Sequence, residues 1–62
     1  MKLQLIFNMD NAAFEDTNGY EAAVLLRKMA SKVDGSNLTG GDEFTVTDSN
    51  GNKVGKMKIT GK

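Results

Sequence analysis

The chain has 62 residues, eight basic and eight acidic side chains, zero formal net charge, and neither cysteine nor histidine. This is one small domain with no disulfide or zinc support. It also lacks the commonest catalytic bases and nucleophiles. The charges are segregated: residues 10–21 carry Asp10, Glu15, Asp16 and Glu21 without a base, whereas residues 53–62 carry Lys53, Lys56, Lys58 and Lys62 without an acid. An acidic connection and a basic terminal strand are expected.

The opening MKLQLIF is too short for a signal-peptide core or a bilayer span, so a soluble, cytoplasmic chain with no membrane contact is expected. From residue 2 to about 9 the side chains alternate. Leu3, Leu5, Phe7 and Met9 share one face, and Lys2, Gln4, Ile6 and Asn8 share the other, which marks a half-buried strand. The following DNAAFEDTNGYE is rich in oxygen-bearing side chains and sets Asp10 and Glu21 at positions one and twelve of a calcium loop. Positions three, five and six are Ala12, Phe14 and Glu15, however, where two ligands and a glycine are required. The stretch reads instead as a turn that plugs the end of the core with Phe14.

A helix is expected over about 19–33, with Asn18 as N-cap, Glu21 as its capping-box partner, and Thr17 as an alternative cap. Ala22, Leu25, Leu26, Met29 and Val33 form an apolar stripe at helical spacing. Tyr20, Val24, Arg27, Lys28 and Ser31 occupy the opposite face, and Asp34-Gly35 ends the helix. GSNLTGGD is a flexible connection from which Leu38 folds back. A second strand over about 43–48 points Phe44 and Val46 inward, and a third over about 53–60 does so with Met57 and Ile59. Between them DSNGN is a hairpin turn with two candidate registers. A two-residue Asn50-Gly51 turn pairs Val46 with Gly55. A type I turn with left-handed Gly51 pairs Val46 with Val54 and needs a bulge near Gly55. DSNGNKVGK also resembles a calcium loop and a phosphate loop, but Lys53, Ile59 and Met57 stand where each motif needs another residue.

The expected architecture is therefore α+β: a single β-α-β-β domain with a three-stranded antiparallel sheet in order 1-3-2 and one helix on one face. Parallel pairing of the first two strands is the alternative. No catalytic, cofactor or metal site is expected, and the chain is read as a non-enzymatic protein-binding module. Tyr20, Val24 and Arg27 are the candidate interface, because they share a helix face and Tyr with Arg is a hot-spot combination. A second reading gives Lys2, Lys53, Lys56 and Lys58, with Lys62, to a sheet face that binds nucleic acid. The phenylalanines are better used in the core than for stacking bases, and a lysine-rich solvated face also explains those residues. Self-association as a homodimer is a third reading.

DNAAFED after a strand, YEAAVLLRKMA as the helix and DSNGNKVGK as the hairpin resemble small uncharacterised β-α-β-β proteins encoded by bacteriophages and prophages. The likeness runs from about residue 3 to about residue 60, and Val24 stands where the helix pattern Y-E-x-A-R-x-L-R has arginine. The resemblance implies a phage accessory protein in the bacterial cytoplasm that binds or inhibits a host protein, including a component of antiviral defence. It supplies no catalytic residues.

Overall fold

The computed structural model describes residues 1–61; Lys62, counted above with the basic strand, lies outside the described residues. Strand β1 (Lys2–Phe7) leads through a 3-10 turn (Ala12–Phe14) to helix α1 (Asn18–Val33), followed by β2 (Glu43–Thr47) and β3 (Lys53–Thr60). The three strands form one antiparallel sheet in order β1-β3-β2, with the helix on one face. The parallel pairing of β1 with β2 does not occur. Strand β1 stops at Phe7, short of the expected residue 9, and Met9 is 40% exposed rather than in the core.

Two hydrogen bonds fix which backbone groups face inward. Asn8 N–H donates to the Val54 carbonyl at 2.8 Å, and Ile59 N–H donates to the Asp42 carbonyl at 2.9 Å. Bonded pairs alternate along an antiparallel ladder. With Leu5 opposite Met57 and Ile6 opposite Lys56, Lys2, Gln4 and Ile6 therefore bond to β3, while the backbone groups of Leu3, Leu5 and Phe7 point away from the sheet. On β2, Phe44 and Val46 bond to β3, and Glu43, Thr45 and Thr47 point outward.

The hairpin combines the two expected registers. Gly51 has φ +85° and donates its N–H to the Asp48 carbonyl at 3.0 Å, while Asp48 N–H donates to the Asn52 carbonyl at 2.9 Å. This is the type I turn with a left-handed glycine. Val46 nevertheless pairs with Gly55, and Thr47 pairs with Lys53. The bulge falls on Val54, next to Gly55 as expected, and restores the alternation that turns Met57 and Ile59 inward. Gly55 follows it at a close approach: a Cβ there would overlap the Ile6 carbonyl and lie 2.7 Å from Phe7 Cβ. No other residue fits without moving β1.

Phe14, Leu25, Met29, Val46, Met57 and Ile59 are buried. Leu5, Phe7, Phe44, Val33 and Val54 pack around the cluster formed by the first five of those buried residues. Phe14 plugs the sheet end as expected, its ring stacked on Phe7 with centroids 6.1 Å apart. The helix departs from its expected stripe. Glu21, Leu25 and Met29 are its buried residues, while Leu26 is 51% exposed. Thr17, not Asn18, takes the N-cap position, and no side chain caps the helix. Glu21, expected in a capping box, instead turns under the helix toward the hairpin. On the flank facing β2, Lys32 Nζ reaches the Thr45 carbonyl at 3.3 Å. Leu26 lies on the opposite flank, toward β1, where Leu3 is 49% exposed although its position in the alternation is a core one.

Candidate interaction surfaces

Two carboxylates are buried, and both serve the hairpin. Glu21 accepts the Ser49 N–H at 2.8 Å and the Ser49 hydroxyl at 2.6 Å, tying the first turn of α1 to the hairpin tip. Asp48 accepts the N–H groups of Asn50 and Asn52, each at 2.9 Å, and the side-chain amide of Asn11. Burial alone would raise the Asp48 pKa. The Asn52 N–H, the Asn11 amide, the Asn50 N–H and the Asn52 side chain outweigh it and hold the carboxyl below its ordinary value of 3.8. Through Asn11 the same carboxylate also anchors the connection after β1; Asn11 Oδ1 is buried without a hydrogen-bond partner. The burial of these acids is not legible in the sequence, because Ser49 lies 28 residues from Glu21 and Asn11 lies 37 residues from Asp48. Among the described residues, no group of three or more acidic side chains converges as a metal site would require.

The expected protein interface lies along one flank of α1. Tyr20 is 69% exposed and Arg27 is exposed, while Val24 is half-buried and supplies their base rather than a protruding contact. Positions 20, 24 and 27 follow i, i+4, i+7 spacing and so share a helix face. A shallow cleft between this helix start and the 3-10 turn is lined by Ala12, Ala13, Asp16, Thr17, Tyr20 and Glu21.

The open sheet face carries the basic residues in a definite register. Gln4 stands opposite Lys58 and Lys58 opposite Glu43; Ile6 stands opposite Lys56 and Lys56 opposite Thr45. Lys56 Nζ forms an ion pair with Glu43 Oε1 at 3.2 Å, which takes one positive charge out of the patch. Lys2 lies further along β1, opposite Thr60. Lys53 stands apart from the groove of Gln4, Ile6, Lys56 and Lys58, in a cleft with Asn8, Asp10 and Asn11. The candidate nucleic-acid residues therefore divide between two places, and Ile6, 74% exposed, lines the one that holds Lys56 and Lys58.

The edges of the sheet were not singled out in the sequence. At β2, Leu25 and Met29 floor a cleft whose rim holds Lys28, Ser31 and Lys32 beside Thr45 and Thr47. At β1, the outward backbone groups run beside Leu3 and Ile6. No helix among the described residues is long and apolar enough to cross a membrane. Comparison of the chain with protein-family models, with curated proteins and with solved structures finds no match.

Proposed function

We propose that this chain is a non-enzymatic binding module that recognises a protein partner through the outer flank of α1. The observation that carries this reading is the placement of Tyr20 and Arg27, both exposed on a helix whose other side is anchored to the sheet by Leu25 and Met29. The helix holds their backbone in place before docking, and aromatic and arginine side chains are the ones that most often dominate binding energy. The two buried carboxylates are fully engaged in holding the hairpin, which favours a structural role for the polar interior over a reactive one. The setting implied by the sequence resemblance belongs to the same proposal: a phage or prophage accessory protein that binds, and inhibits, a host protein in the bacterial cytoplasm.

The test is affinity capture of the tagged protein from bacterial lysate, with and without nuclease, read by mass spectrometry. One stoichiometric protein that survives nuclease, and whose binding the Tyr20→Ala/Arg27→Ala variant weakens roughly 30-fold or more, is the expected result. Recovery lost to nuclease and to Lys56→Glu/Lys58→Glu would overturn the reading and assign the lysine face to nucleic acid.

A further inference from the structure

We infer that β1 is a self-pairing edge, through which two copies of the chain join antiparallel into one continuous six-stranded sheet with both helices on the same face. The ladder turns the N–H and C=O groups of Leu3, Leu5 and Phe7 outward. Among the described residues nothing bonds to them. A strand edge of this kind is a ready template for another strand unless charge, proline, a bulge or a covering element blocks it. Strand β1 has none of these. Its single charge is Lys2 at one end, the bulge lies in β3, and α1 leans toward β2.

A second copy fits this edge because the strand is complementary to itself. In a two-fold arrangement centred on Leu5, each Leu5 faces its copy and Leu3 faces Phe7 of the other chain, so apolar side chains meet on the inner face. On the outer face Gln4 meets Ile6 and Lys2 meets Asn8, so no like charges oppose one another. The same joint brings cover to side chains that the monomer leaves in water: Leu3, Ile6 and Leu26, which are 49%, 74% and 51% exposed. Leu3 and Leu26 flank the joint on the helix side, and Ile6 flanks it on the open side. A domain this small, which buries only roughly 60% of its unfolded surface, gains stability from such a joint.

Sedimentation velocity over roughly a thousandfold range of concentration tests the inference, because mass action makes a dimer population depend on concentration. The intact protein is expected to pass from monomer to dimer. Ile6→Lys puts a charge beside the edge without touching the core and is expected to weaken the dimer roughly tenfold or more, with circular dichroism unchanged. Tyr20→Ala, on the helix flank, is expected to leave the dimer intact. A monomer at every concentration would overturn the inference. So would a dimer that Ile6→Lys leaves unchanged.

Discussion

At the β2 edge the outward carbonyl of Thr45 receives a hydrogen bond from Lys32 of the helix, and Glu43, Thr45 and Thr47 surround it with polar side chains. At the β1 edge the outward groups of Leu3, Leu5 and Phe7 run between Leu3 on one face and Ile6 on the other, both in the open. The difference has a geometric origin. A single helix over three strands cannot cover both edges, and Glu21 decides which one it favours. Its carboxylate needs donors once buried, finds them at Ser49, and so fixes the turn of the helix about its own axis. Leu25, Met29 and Lys32 then face β2, and Leu26 is left on the side of β1. The contact of Glu21 with Ser49 and the exposure of Leu26 thus belong to one rotation of the helix.

The β1 edge depends first on Gly55, where β1 is seated on β3. Gly55→Val is expected to cost about 3 kcal/mol or more, since the new side chain meets backbone that cannot yield. Urea denaturation measures it, and amide spectra should show β1 lost while the β2–β3 hairpin persists. Glu21→Ala comes next, at about 1–3 kcal/mol, because the Ser49 N–H and hydroxyl lose their charged acceptor. If the carboxylate sets the helix rotation, this variant also changes the exposure of Leu26, readable by nuclear Overhauser contacts to β1.

Acid titration separates the hairpin anchor from the edges. The Asp48 carboxyl titrates lower in the folded protein than its unfolded value of 3.8. Its stabilisation is therefore complete above 3.8 and lost as pH falls through the lower folded value. Urea midpoints followed through this window should decline in the intact protein and decline less steeply in Asp48→Asn, which has no charge to lose. The smallest effect belongs to Lys32→Ala, expected to change stability by less than about 0.5 kcal/mol, as exposed side chains usually do. Its consequence is kinetic and associative. It unblocks the Thr45 carbonyl, so aggregation during prolonged incubation should rise although the unfolding midpoint barely moves.

Much of this fold is readable from local pattern. The alternation of Leu3, Leu5 and Phe7, the inward placement of Phe44, Val46 and Met57, and the glycine turn at Gly51 each follow from neighbouring residues. The order β1-β3-β2 follows from the hairpin and the preference for antiparallel neighbours. What escaped is non-local. Glu21 reads as a helix-start acid because its partner Ser49 is distant in sequence, and Leu26 reads as core because helical spacing alone does not fix the rotation. The two candidate hairpin registers combine, because the type I turn and the pairing of Val46 with Gly55 are reconciled by the bulge at Val54. Of the candidate surfaces, Tyr20 and Arg27 are exposed as read, Val24 is half-buried beneath them, and Lys53 stands away from Lys56 and Lys58. The β1 edge was invisible because its significance depends on where the helix is not.

Amide hydrogen exchange of the intact protein, read residue by residue at low and high concentration, tests the contrast between the edges most directly. Gln4, Ile6 and Asn8 bond to β3 and should be protected at both concentrations. Leu3, Leu5 and Phe7 should exchange freely when dilute and become protected when concentrated, whereas Glu43, Thr45 and Thr47 stay unprotected throughout. Exchange at Leu3, Leu5 and Phe7 that ignores concentration, or protection that appears at Glu43 and Thr45 instead, would contradict the account.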